Sequence, residues 1–259
     1  MSGAVTTGAR RAGAPEEEND GDEEDVRPGA GQLLGAATAE LIGVFLLVFA
    51  GTGTVLALQR GGDGGDILAV AFAFGLSILI AVYAFGHVSG GHINPAVTIA
   101  LAVVRKFQWR AVPVYLVAQF AGAVLASLAV WALFGDSART GSLHLGITAP
   151  GQGVSDGTAL LAEAIVTFLL LTAVLALGLD DRAEGPAVGL GIGLTIVVAI
   201  LATGPISGGS LNPARSLGPA VVSGDFDSLW VYFAGPIAGG VLGAVVYDRV
   251  IRRGRPPEL

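Results

Sequence analysis

The sequence predicts an all-α membrane protein with six spanning helices and two short re-entrant half-helices in an inverted repeat, and three observations carry that expectation. The 259-residue chain is 53% hydrophobic and only 14% charged, whereas a soluble domain is about 25% charged. Six stretches with almost no charge are long enough to cross a bilayer, for which about 20 residues are needed. The third observation is a motif centred on Asn-Pro-Ala that occurs once in each half of the chain.

The chain opens with an acidic segment. Eight of the 21 acidic residues fall between Glu16 and Asp25, with no apolar periodicity around them. Such a run buries too little surface to offset the entropy of ordering, so a disordered tail is expected over residues 1–31. A basic start running directly into an apolar stretch is missing, so the segment does not read as a signal peptide. The chain has no cysteine, which excludes disulfides, thiolate nucleophiles and thiolate metal sites.

The spans are expected at about 36–58, 67–85, 111–134, 158–178, 186–203 and 229–247. Buried strands also read as apolar runs, but they are about 4–8 residues long, far shorter than these. Glu40 and Glu163 are the only charges inside the spans, each near the start of its own. The membrane domain is therefore expected over 32–250, with one repeat over about 33–134, a second over about 157–249, and a cytoplasmic tail over 251–259. With both ends in the cytoplasm, 11 of the 14 Lys and Arg lie inside, and only Arg60, Arg139 and Arg215 lie outside. The positive-inside rule favours that orientation.

Internal repetition is the most informative feature. Gly86–Val104 reads GHVSGGHINPAVTIALAVV and Gly204–Val222 reads GPISGGSLNPARSLGPAVV, identical at 10 of 19 positions with a constant offset of 118. Ala69, Val70, Gly75 and Leu76 match Ala187, Val188, Gly193 and Leu194 at the same offset, and Ala39-Glu40 matches Ala162-Glu163. Each half thus holds three spans and one short element. Three is odd, so the second half starts on the opposite side of the membrane and the repeats are inverted, which places a substrate path near the midplane.

Local chemistry identifies the short elements. In Ser-Gly-Gly-x-(Ile/Leu)-Asn-Pro-Ala the glycines permit a tight turn, Asn is a favoured helix cap, and Pro is favoured at the first helical position. Each short element is expected to be a half-helix beginning at Asn94 or Asn212. Non-helical backbone at membrane depth is tolerated only inside protein or beside a wet cavity, so the two turns are expected to face a pore. Inverted symmetry brings the N-termini together, each carrying about half a positive charge. A water oxygen is accepted there, whereas a cation is repelled.

The paired boxes Asn94-Pro95-Ala96 and Asn212-Pro213-Ala214, with Arg215 directly after the second, resemble the aquaporin and glycerol-facilitator family over roughly residues 33–250. The resemblance is to a bacterial aquaporin of the water-channel branch with a non-standard outer filter. It implies a passive channel for water and small neutral solutes, a homotetramer with one pore per subunit, and residence in the plasma membrane. Selectivity by pore diameter, lining donors and a positive barrier is already established for aquaporin-type pores. No metal, organic cofactor or nucleic-acid partner is implied; the partners are the solutes and the lipid bilayer.

The resemblance also implies an outer ring of four residues, placed by spacing at Phe74, Ile200, Gly209 and Arg215. Phe74 and Arg215 match the water-selective pattern, whereas water-strict members resemble a set with His at the Ile200 position and a small polar residue at Gly209. A donor is lost and a side chain deleted, so the ring is expected to be roomier and less polar, with ammonia and urea the leading extra solutes. A glycerol-conducting channel is the alternative. Ser216 and Ala220 after the second box, and the aromatic pair Tyr232-Phe233, resemble the water branch instead.

Intramembrane carboxylates ordinarily suggest an ion or proton path, and a proton-coupled transporter using Glu40 and Glu163 is the remote alternative. Their equivalence across the repeat, and the family resemblance, imply instead that they bond backbone N–H groups of the re-entrant loops. Gln119 is expected to do similar internal work. His87 and His92 flank the first turn without an acidic or thiol partner, a poor metal site. His144 carries no signal. Gly235, Gly239 and Gly243, like Gly189 and Gly193, recur at four-residue spacing, which permits close helix contact. Ser89, Ser207 and His87 supply the residue types of a hydrolase, but no nucleophile motif surrounds either serine.

Overall fold

The structure is a computed structural model that describes residues 29–62, 66–140, 144–182 and 187–254. Six long apolar helices form its frame: α1 (Ala30–Gly61), α2 (Ile67–Ser89), α4 (Val112–Phe134), α6 (Asp156–Gly178), α7 (Val188–Ser207) and α9 (Val231–Val246). Two half-helices, α3 (Pro95–Val103) and α8 (Pro213–Ser223), lie between them, together with a five-residue helix α5 (Asp136–Thr140). Helix α9 continues into a π-turn at Tyr247–Ile251.

Several boundaries differ from the sequence expectation. Helix α1 begins at Ala30, two residues inside the interval expected to be tail, while the tail expectation for 1–28 falls outside the described residues. Both α2 and α7 run four residues further than expected, to Ser89 and Ser207, through Gly86 and through Gly204-Pro205. Local propensity argues for a stop there, but each extension ends on a serine whose hydroxyl donates to a buried glutamate, Ser89 to Glu40 and Ser207 to Glu163, both at 2.7 Å. Residues 251–254 are held in place, since Arg182 Nη1 donates to the Gly254 carbonyl at 2.9 Å. That arginine is aligned by Asp180, which also accepts from the Tyr247 hydroxyl at 2.9 Å. The Arg182 guanidinium holds the Asp180 carboxyl well below the usual carboxylate range.

Packing follows the repeat. Helix α1 packs on α4 as α6 packs on α9, and α1 packs on α2 as α6 packs on α7. The half-helices are exchanged: α3 packs against α9 of the second repeat, and α8 against α4 of the first. Helices α2 and α7 meet at the centre of symmetry. A Cβ on Gly75 would fall 2.6 Å from the Gly193 carbonyl oxygen, and one on Gly193 would fall 2.5 Å from that of Gly75. Only hydrogen at both positions lets the backbones approach this closely, which is how small residues drive helix association in lipid. Gly239 and Gly243 play the same part on α9, with added Cβ atoms 2.0 and 2.5 Å from carbonyls of Ala164 and Phe168.

Candidate functional site

The two half-helix starts are built alike. Asn94 and Asn212 adopt extended backbone, and each side-chain oxygen caps its own helix by accepting from the N–H two residues on, at 2.8 Å for Ala96 and 2.9 Å for Ala214. Each amide nitrogen then reaches across the repeat boundary. Asn94 Nδ2 donates to the Leu211 carbonyl at 2.8 Å, and Asn212 Nδ2 donates to the Ile93 carbonyl at 2.9 Å. An amide nitrogen carries two hydrogens, so one on each asparagine remains for the cavity that both line.

Ile93 and Leu211 have φ of 52° and 57°, a region that non-glycine residues, and β-branched ones above all, rarely enter. They are held there from both sides. Their carbonyls accept from the opposite asparagine, and their N–H groups donate to Glu40 Oε2 at 2.5 Å and Glu163 Oε2 at 2.8 Å. The other oxygen of each glutamate accepts from His92 N–H at 2.9 Å or Ser210 N–H at 2.8 Å. Both carboxylates are fully buried. In the first repeat Gln119 adds a donation to Glu40 at 2.7 Å and another to Thr98 at 3.0 Å. Tyr115 and Tyr232 complete the pattern by donating to the carbonyls of Ser89 and Ser207, each at 2.8 Å.

A cavity of about 650 Å³ runs past these groups. Its lining passes from Phe74, Ile200, Gly209 and Arg215, through Asn94 and Asn212, to Lys106, Phe107, Gly178 and Val188. Between the ends the side chains are mostly aliphatic: Leu47, Ile78, Val97, Leu170, Val174, Ile192 and Ile196. Neither Glu40 nor Glu163 lines it. His87 and His92 do, with the His92 ring packed 4.6 Å from that of Phe107 and its Nδ1 3.1 Å from Thr98 Oγ1.

The four residues expected to form the outer ring lie in two pairs. The Arg215 guanidinium carbon lies 4.8 Å from the centroid of the Phe74 ring, within the range of a cation–π contact. Arg215 Nη1 donates to the Gly146 carbonyl at 2.9 Å, and its side chain is buried. Ile200 lies against Gly209. An added Cβ there would meet Ile200 Cα and Cγ1 at 3.1 Å, which corrects the expectation that Gly209 leaves open space: Ile200 covers it. Gly209 also has φ of 58°, so any side chain at this position is strained as well as crowded.

Sequence reasoning missed two contributors. Gly51 of α1 faces Phe74 so closely that a Cβ would fall 2.0 Å from a ring atom. The stretch 144–148 holds Arg215 and Ser216, the latter through a 2.7 Å bond between Thr148 Oγ1 and Ser216 Oγ. Gly51 is one of 40 glycines, and the turn carries no motif, so neither had a local signal to find.

The sequence model of the family described as major intrinsic protein matches residues 30–247. The chain is 43% identical over 219 residues to aquaporin NIP1-3 of Oryza sativa subsp. japonica, covering 85% of this chain and 74% of that one. It is 42% identical over 212 residues to putative aquaporin NIP4-1 of Arabidopsis thaliana, covering 82% and 73%. Among solved structures, the X-ray structure of the aquaglyceroporin from Plasmodium falciparum superposes with a TM-score of 0.78 at 28% identity, covering 85% of this chain and 97% of that one.

Proposed function

The chain belongs to the major intrinsic protein family, so it is a multi-pass membrane channel and not an enzyme, and we propose that it passes water together with small neutral solutes, ammonia and urea first among them. One observation carries this reading: a single cavity connects the Phe74, Ile200, Gly209 and Arg215 ring to both asparagine-capped helix starts. Two helix N-termini and Arg215 give the path a positive field that repels cations. The free amide hydrogens of Asn94 and Asn212 offer donors to a solute oxygen. Ile200 supplies no donor at the ring, which favours ammonia, a solute that needs fewer hydrogen bonds than water does, while urea depends on the width of the ring.

Glycerol is the second reading, favoured by the likeness to a chain named as an aquaglyceroporin and opposed by the close Phe74–Arg215 contact. A proton carrier role for Glu40 and Glu163 is opposed by their burial away from the cavity with both oxygens occupied. Plasma-membrane residence with both termini cytoplasmic, which turns the Arg215 end outward, and assembly as a homotetramer complete the proposal. Stopped-flow measurements on proteoliposomes, with water, ammonia, urea and glycerol compared in one preparation, test it. Water and urea conduction indifferent to a proton gradient is expected; uptake that collapses with the gradient overturns it.

A further inference from the structure

Three consecutive residues, His144, Leu145 and Gly146, have φ of 37°, 59° and 69°. Two of them are not glycine, and strained backbone of this kind persists only where its surroundings over-determine it. The middle residue is fixed by burial, since Leu145 packs with Leu56, Val130 and Ala138. The last presents its carbonyl to Arg215 Nη1 at 2.9 Å, and two residues on Thr148 bonds Ser216 at 2.7 Å. The first is fixed by its side chain: His144 Nδ1 lies 2.7 Å from Asp225 Oδ2.

Asp225 stands just beyond the C-terminal end of α8, the half-helix that carries Arg215 in its first turn. It is itself anchored, its N–H donating to the Ala220 carbonyl at 3.2 Å and its Oδ1 accepting from Asp227 N–H at 3.0 Å. The stretch 144–148 therefore grips α8 at both ends. The Gly146 carbonyl that aims the arginine lies two residues from the His144 end of that grip.

We propose that His144 and Asp225 are a positioning pair for Arg215, which set how tightly the Gly146 carbonyl holds the guanidinium and thereby how well the ring rejects solutes larger than water. This rests on the reading of Phe74, Ile200, Gly209 and Arg215 as the selective ring. Neither residue of the pair touches the solute.

The pair also makes selectivity depend on pH. Besides Glu40 of α1, which is engaged with the loop before Asn94, the charged groups on elements packed against the turn are Arg60 of α1, Asp136 and Arg139 of α5, Arg215 of α8, and Asp225 and Asp227 beyond α8. Arg60 is engaged with Phe134, Arg139 with Trp131, and Asp136 with the Trp131 indole N–H. Among the described residues Asp225 is the ion-pair partner of His144. The Asp227 N–H and then His144 hold the Asp225 carboxyl below its ordinary range. Protonated His144 makes a charge-assisted bond, stronger than the neutral one, and histidine changes charge between about pH 5 and 8. The grip is thus tighter when His144 is protonated.

The test is the ratio of urea to water permeability in proteoliposomes buffered equally on both sides at about pH 5.5 and pH 8, the span of histidine titration. In the wild type the ratio is expected to be several-fold lower at the acid pH. His144→Ala and Asp225→Asn each raise it and remove its pH dependence, and the exchange His144→Asp with Asp225→His restores both. Aspartate tolerates positive φ, so the exchange respects the backbone at residue 144. Wild-type ratios at both pH values in His144→Ala and Asp225→Asn overturn the proposal. Arg215→Val in the same series separates the failures: a changed ratio there with unchanged pair variants removes the positioning pair alone, whereas an unchanged ratio removes the selective ring and the pair with it.

Discussion

At the scale of single residues, the ring depends on a position without a side chain. Three atoms of the Phe74 ring would lie 2.0, 2.2 and 2.4 Å from a Cβ on Gly51, so the ring can lie back against α1 only because that Cβ is missing. Gly51→Ala is expected to push the ring toward Arg215 and narrow the path, lowering urea permeation more than water permeation in stopped-flow assays. A ratio equal to wild type, in protein of normal abundance, would show that the ring relaxes elsewhere. Ile200→His restores a donor opposite Arg215 and is expected to cut urea and ammonia permeation several-fold more than water permeation. The single change is the informative one, because a side chain at Gly209 meets both crowding and a φ of 58°. An unchanged ratio in Ile200→His would mean that this residue does not set selectivity. The helix caps at Asn94 and Asn212 were legible in the sequence because their motif is local and repeated, whereas Arg215 stands out only by following the second box where the first has Val97. Gly51 and His144 were not, because their roles come from partners 23 and 81 residues away, Phe74 and Asp225.

At the scale of elements, the half-helices were legible from cap chemistry: glycines for the turn, asparagine to accept, and proline where no N–H is needed. Their exchange between repeats was not, since nothing local states that α3 packs on α9 and α8 on α4. The helix extensions to Ser89 and Ser207 were hidden for a related reason, because tertiary hydrogen bonds to Glu40 and Glu163 override the local stop signals. This arrangement makes the glutamates scaffold for the loops. Glu163→Ala leaves the N–H groups of Ser210 and Leu211 without their acceptor, at about 1–3 kcal/mol for each buried donor. A clearly lower Tm in detergent, with less folded protein recovered, is the expected result. Full stability combined with lost gradient-driven uptake would argue for a proton carrier instead. Short α5 and the turn at His144–Gly146 lie outside the apolar runs, where hydrophobic periodicity offers nothing to read.

At the scale of the whole molecule, the inverted repeat explains why one path exists. Two half-helices enter from opposite sides, and each asparagine is bonded to the strained residue before the other, so the centre is locked by reciprocal contacts between the repeats. The inverted arrangement followed from a constant offset of 118 and an odd number of spans per repeat, whereas the reciprocal asparagine bonds did not. The acidic segment at the start stands apart from that plan, and removing residues 1–28 is expected to leave water permeability per channel unchanged. A large loss at normal protein abundance would assign the segment a gating role. The central proposal is that solutes pass through the ring at Arg215, and its most direct test is stopped-flow permeability of Arg215→Val to water, urea and glycerol. Faster urea and glycerol with water flux retained is the predicted result, because the change removes both a fixed charge and the side chain in contact with Phe74. Urea and glycerol rates that both stay at wild-type values would contradict the account, since Arg215 would then not line the path.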